Sequence, residues 1–311
     1  MVSLHIRTPL LESTPLSQVA GSEVWLKMEA MQPCGSFKLR GIGRACSHHA
    51  ARGVQGLVSS SGGNAGIAVA YCGRKLGLPV TVVVPLSTPE LAQEMIRGEQ
   101  AEVIVSGESW QEAHGHAQSL CGPDRVLIHP FDDPLLWEGH ATLIEETARS
   151  GLRPDAVLLS VGGGGLLCGV LEGLHSNGMA DVPVLAVETR GAASLGASLA
   201  AGRHLELKRI ATVATSLGAK KVAARAWEWC GRQNVTSFSV SDLEAVESCL
   251  RFAADHRVLV EPACGASLAA VYGRHPFLRG KKRILLVVCG GVGVSFEQLL
   301  EWQQHLEREK Q

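Results

Sequence analysis

Short β-branched and aliphatic runs alternate with stretches of helical period along most of this chain. Gly56–Ser59 reads as a strand and Asn64–Leu76 as a helix rich in alanine and glycine. The unit then repeats. A strand over Val80–Val84 precedes a helix over 88–97 capped by Thr88, and a strand over Glu102–Val105 precedes a helix from Glu108. Residues 126–128 form a strand that leads into a helix from Pro134. Further on, Ala156–Ser160, 184–187 and 284–288 are apolar with little interruption, the pattern of strands covered on both faces. Strands and helices in such alternation predict parallel sheets flanked by helices. They are too many for one comfortable sheet, so the expectation is an α/β protein with two open, twisted parallel-sheet domains. Ligands of such sheets bind at the carboxyl ends of the strands, here expected in the crevice between the domains. No linker marks a boundary, and one domain is read as an insertion: a large domain over 1–37 and 134–311, a small one over 38–133.

The 311 residues suffice to bury two such cores. An apolar fraction of 46% with 19% charged is that of a globular protein in water, and no run approaches a membrane span. A formal net charge of −1 leaves no basic face for nucleic acid. The nine cysteines show neither a C-x-x-C pair nor zinc spacing, and residues 1–7 lack the apolar core of a signal peptide. A reduced, cytoplasmic protein is expected.

Chemistry gathers at the ends of predicted strands. Gly162, Gly163, Gly164 and Gly165 follow the strand ending at Ser160-Val161 and precede a helix near Leu166. Contiguous glycines let N–H groups converge at a positive helix end, which suits a monophosphate; neither a Walker loop nor a dinucleotide fingerprint is present. Ser59-Ser60-Ser61-Gly62-Gly63-Asn64-Ala65-Gly66 crowds hydroxyls, amides and an asparagine at another helix entrance, an arrangement for a carboxylate, where simple capping needs only one such residue. Cys289, followed by Gly290-Gly291, ends a buried strand. Finally, Gly35-Ser36-Phe37-Lys38-Leu39 puts a lysine on the first turn of a predicted helix. Small and apolar neighbours and the helix end favour its neutral, nucleophilic amine. A lysine able to form an imine, a phosphate cradle, a carboxylate loop and a polar atom at a strand end together match the needs of pyridoxal 5'-phosphate.

In order along the chain, Gly35-Ser36-Phe37-Lys38, Ser60-Ser61-Gly62-Gly63-Asn64-Ala65-Gly66, Gly162-Gly163-Gly164-Gly165-Leu166 and Cys289-Gly290-Gly291 resemble the fold-type II pyridoxal-phosphate enzymes. The strongest likeness is to the liver-type L-serine/L-threonine dehydratases and their dehydratase-like branch. It runs nearly end to end, through Pro130-Phe131-Asp132-Asp133-Pro134, Trp137-Glu138-Gly139-His140 and Val260-Glu261-Pro262-Ala263-Cys264-Gly265-Ala266. The resemblance implies that Lys38 carries the cofactor and then removes the α-proton, that Phe37 lies against the pyridine ring, and that Asn64 bonds its phenolic oxygen. It implies that residues 162–165 hold the phosphate and that Ser61, Gly62 and Asn64 receive the carboxylate of a small amino-acid substrate. It further implies a homodimer and a monovalent cation, potassium, held by Glu188 and Ser194 with backbone oxygens near Gly162, Ala192, Leu217 and Ala219. An ordinary ion pair is the competing reading for Glu188.

Cys289 bears on reaction type. A neutral thiol sustains a protonated ring nitrogen less well than a carboxylate does, so elimination gains over racemisation, which needs a long-lived carbanion. The expected reaction is conversion of L-serine to pyruvate and ammonia, and of L-threonine to 2-oxobutanoate. Gly62 stands where the more active liver enzymes have alanine, and Val292-Gly293-Val294-Ser295 is more apolar than the relatives' turn, so turnover is expected to be modest. Competing readings are a threonine dehydratase, a serine racemase, a β-replacing synthase and a non-catalytic ligand-binding relative. The chain ends soon after its last predicted helix, leaving no room for an amino-acid-sensing domain, which favours catabolism. His48-His49 reads as a solvated helix face, His114 and His116 as helix residues without a metal set, Trp227 and Trp229 as packing, and Asp132-Asp133 as a helix cap.

Overall fold

The computed structural model describes residues 3–310. The chain divides into two compact units, one holding the residues up to Ile6 with Gln32–His140, the other Arg7–Met31 with the chain from Ala141 onward. The expected insertion, 38–133, lies within the first unit, as do the expected boundaries at 37 and 134. Ten strands form among the described residues: β1 (Leu10–Glu12), β2 (Glu23–Lys27), β3 (Gly56–Ser59), β4 (Val80–Val84), β5 (Glu102–Val105), β6 (Arg125–Leu127), β7 (Ala156–Ser160), β8 (Val184–Thr189), β9 (Val235–Val240) and β10 (Arg283–Val287).

In the first unit the sheet order is β5-β4-β3-β6, with every pairing parallel. The central β3 and β4 are buried at every position, which explains their small and apolar residues; β5 and β6 are part-exposed edges. The Asn64–Leu76 helix after β3 has the predicted bounds. Its neighbour does not begin with Thr88 as cap. The helix spans Glu90–Gly98, and Pro89 takes the cap position, which has no side-chain acceptor. The next helix begins at Trp110 rather than Glu108, because the Ser109 hydroxyl accepts the Glu112 N–H and defines the start.

In the second unit the order is β1-β2-β10-β7-β8-β9, with β1 antiparallel to β2 and all other pairings parallel. The N-terminal β2 lies in register with β10, Val24 opposite Ile284, and this pairing draws Arg7–Met31 into the second unit. The runs predicted as buried strands, β7, β8 and β10, are the central ones. Periodicity alone did not reveal β1, β2 and β9, which are short or part-exposed. Each of β3, β7 and β10 runs at its carboxyl end into one of the motifs singled out above.

Candidate active site

In the first unit, Lys38 is the first residue of the Lys38–Ala51 helix. Its Nζ donates to the Pro130 carbonyl at 2.6 Å and lies 5.2 Å from the centroid of the Phe37 ring. The Phe37 ring packs in turn on His140, at 5.0 Å and a tilt of 54°. His140 is fully buried and neither of its ring nitrogens has a hydrogen-bond partner among the described residues. Burial first, then Lys38 and Arg40, holds its imidazole well below the usual range, so this ring is neutral behind Phe37.

The expected carboxylate loop links β3 to the Asn64–Leu76 helix, and Asn64 is buried at the first helical position. Two of its amides are taken up locally: the Ser61 N–H donates to Ser59 Oγ and the Gly63 N–H to Ser61 Oγ. The Gly62 N–H donates to no backbone carbonyl among the described residues. A Cβ added at Gly62 would lie 2.6 Å from Thr88 Cγ2 and 3.3 Å from Val84 Cγ1, so Thr88 fills the space an alanine methyl needs.

A histidine discounted in the sequence contacts this loop, and a second packs on the first. Ser60 Oγ pairs with His114 Nδ1 at 2.8 Å. His129 Nδ1 accepts from the N–H groups of Phe131 and Asp132 at 3.2 and 2.7 Å, which places its proton on Nε2. Burial, then His114 and Lys38, lowers His129 to about 4. No local signal exposes the Ser60–His114 pair, whose members are 54 residues apart in sequence. His116 instead pairs with Ser106, and Asp133 caps the following helix by accepting the Leu135 N–H, as its sequence position suggested.

In the second unit, residues 162–164 form the turn between β7 and the Gly165–Ser176 helix. None of these three N–H groups donates to a backbone carbonyl among the described residues. Gly164 adopts φ +87°, and a Cβ there would meet Ala226 at 2.7 Å, so this position demands glycine. Gly162 abuts the backbone of Leu217. Cys289 is buried after β10. A hydrogen bond to the Cys264 thiol, followed by burial, keeps its thiol well above the ordinary range and therefore neutral. Cys264, 25 residues earlier in the chain, is thus the partner of Cys289.

Glu188, near the end of β8, is fully buried. One oxygen accepts the Leu195 N–H and the other the Gly196 N–H, both at 2.8 Å, with Ser237 Oγ at 3.3 Å. Burial pushes its carboxyl up to about 7 against these three donors. Among the described residues Glu188 makes no ion pair. Ser194 Oγ, at the start of the Ser194–Ala201 helix, is buried and has no hydrogen-bond partner among the described residues. Leu217 and Ala219 share a tight turn, and Ala192 is buried after β8.

Similarity to known proteins extends over nearly the whole chain. The family described as "Pyridoxal-phosphate dependent enzyme" matches residues 2–290. The chain is 51% identical over 307 residues to "Serine dehydratase-like" of Mus musculus, covering 96% of this chain and 93% of that one. It is 46% identical over 314 residues to "L-serine dehydratase/L-threonine deaminase" of Homo sapiens, covering 97% and 96%. The crystal structure of a fungal L-serine ammonia-lyase from Rhizomucor miehei matches with TM-score 0.93 at 37% identity, covering 97% of this chain and 99% of that one.

Proposed function

The chain belongs to the pyridoxal-phosphate dependent enzyme family, and on that premise we propose that it is an ammonia-lyase acting on L-serine, releasing pyruvate and ammonia, and on L-threonine, releasing 2-oxobutanoate. The observation that carries this reading is the amine of Lys38, presented at a helix start beside an aromatic ring and drawn to a backbone carbonyl.

The residues present fit the cofactor. Three successive N–H groups without backbone acceptors open a helix at 162–164, a cradle for an anionic tail. When bound, the cofactor supplies a sink for the electron pair left at Cα. Lys38 Nζ would hold it, and the same amine would serve as the base for the substrate α-proton. Phe37 covers the ring, with neutral His140 as its support. Asn64 bonds the phenolic oxygen, and residues 162–165 hold the phosphate. Ser61, Gly62 and Asn64 receive the substrate carboxylate. Cys289, whose thiol is held neutral, would be the partner of the ring nitrogen, and a neutral thiol would sustain a protonated ring less well than a carboxylate, favouring loss of the β-hydroxyl over racemisation.

A potassium ion would be held by Glu188 and Ser194 with carbonyls near Gly162, Ala192, Leu217 and Ala219; among the described residues the Ser194 hydroxyl has no partner and Glu188 makes no ion pair, which supports this. A cytoplasmic setting accords with nine cysteines that form no disulfide among the described residues, and a homodimer and a catabolic role complete the reading.

The test couples cofactor-loaded protein to lactate dehydrogenase. Keto acid should appear from serine and threonine, and Lys38→Ala should remove both the absorbance of the bound cofactor and at least about a thousandfold of the rate. Absence of keto acid from either amino acid, with replacement product formed from a thiol, would assign the chain to the synthases instead.

A further inference from the structure

The contact between Ser60 and His114 is not explained by the roles above. Ser60 is fully buried at the head of the carboxylate loop, directly before Ser61. A buried hydroxyl needs a partner, and within the loop Ser59 Oγ already accepts the Ser61 N–H and Ser61 Oγ the Gly63 N–H. Ser60 reaches instead to Nδ1 of His114, on the Trp110–Ser119 helix, at 2.8 Å.

His114 is itself fixed from two sides. The Trp110 ring stacks on it at 4.7 Å and 25°, and His129 meets it edge-on at 6.0 Å and 79°. His129 is anchored by the Phe131 and Asp132 N–H groups, beside the Pro130 carbonyl that receives Lys38 Nζ. The side chains of Ser60, His114 and His129 thus form a line from the head of the loop to the backbone of residues 130–132, where the Pro130 carbonyl receives Lys38 Nζ. Both imidazoles are lowered by burial and are neutral near pH 7. A neutral His114 places no positive charge beside the loop, so its effect there is orientation.

We propose that His114 is a positioning residue for substrate binding, acting through Ser60 to hold the loop Ser61-Gly62-Gly63-Asn64 in the geometry that receives the amino-acid carboxylate. The inference rests on the ammonia-lyase reading. It follows that this pair sets affinity for the amino acid, while Lys38 sets the chemical step. Gly62 and Gly63 lend the loop freedom, and the Ser60–His114 hydrogen bond restrains it from outside.

The experiment compares wild type, His114→Leu, His114→Asn, Ser60→Ala and the double variant Ser60→Ala/His114→Leu, all loaded with cofactor. Wild-type keto acid release comes first, and its absence removes the ammonia-lyase reading and this inference with it. Given wild-type activity, His114→Leu should raise KM for serine about tenfold while kcat changes less than about threefold. His114→Asn, which keeps a polar atom near the Nδ1 position, should recover most of the KM. Ser60→Ala should raise KM as much as His114→Leu, and the double variant no further. Calorimetric binding of L-alanine, which lacks the leaving hydroxyl, should weaken by the same factor. Unchanged KM in His114→Leu, a fall confined to kcat, or additive effects in the double variant would overturn the proposal. Should His114→Leu fail to fold, Ser60→Ala and His114→Asn decide it: no KM change in the former, or a KM in the latter as high as that of Ser60→Ala, would equally refute it.

Discussion

Glu188→Gln replaces a fully buried carboxylate by an amide of the same shape. In the folded protein burial pushes this carboxyl up to about 7, against 4.5 for an unburied glutamate. The folded chain thus binds the proton more tightly than the unfolded chain. The stability this group contributes is whole below pH 4.5 and is lost as pH rises through about 7, a difference of about 3 kcal/mol when complete. Glutamine does not titrate, but its NH2 group cannot accept from both Leu195 and Gly196, a fixed penalty of about 1 kcal/mol at every pH. The informative quantity is therefore the change with pH. Between pH 5 and pH 8 the stability difference should move by about 2.5 kcal/mol in favour of the glutamine variant, or roughly 5 °C in melting temperature. Melts or urea titrations in a tetramethylammonium buffer measure this. Added potassium should then raise wild-type stability at pH 8, where the carboxylate is ionised, much more than at pH 5, and should leave Glu188→Gln unmoved. A stability difference that is flat with pH would show that the carboxyl titrates as an exposed one. An equal potassium response in both proteins would place the cation elsewhere.

Two further outcomes test the neighbourhood of the loop. Gly62→Ala forces a methyl to within 2.6 Å of Thr88 Cγ2, so it should destabilise by about 1–3 kcal/mol in thermal unfolding, and adding Thr88→Ala should restore stability; an undisturbed single variant would refute the close approach. His129 is lowered to about 4 in the folded protein, so the stability it contributes is present above pH 6.5 and is lost as pH falls towards 4. His129→Asn keeps an acceptor for the Phe131 and Asp132 N–H groups but cannot titrate, and should flatten that acid limb; an unchanged limb would mean that other groups produce it.

What the residue pattern determined by itself is local. Central strands covered on both faces must be apolar throughout, so β3, β4, β7, β8 and β10 announced themselves, and with them the α/β alternation. Contiguous glycines after β7, the serine- and glycine-rich turn after β3 and the lysine at a helix start are likewise readable, because each makes its case within a few residues. Tertiary structure decided whatever depends on partners distant in sequence. β2 is recognisable only through its pairing with β10, and β9 only as an edge beside β8, since part-exposed strands lack a continuous apolar signature. Thr88 lost its capping role to Pro89 and became the neighbour of Gly62. Cys264 and His114 found their partners, Cys289 and Ser60, only through folding. A hydrogen bond forms only where two side chains converge within about 3 Å, and no spacing along the chain encodes that convergence.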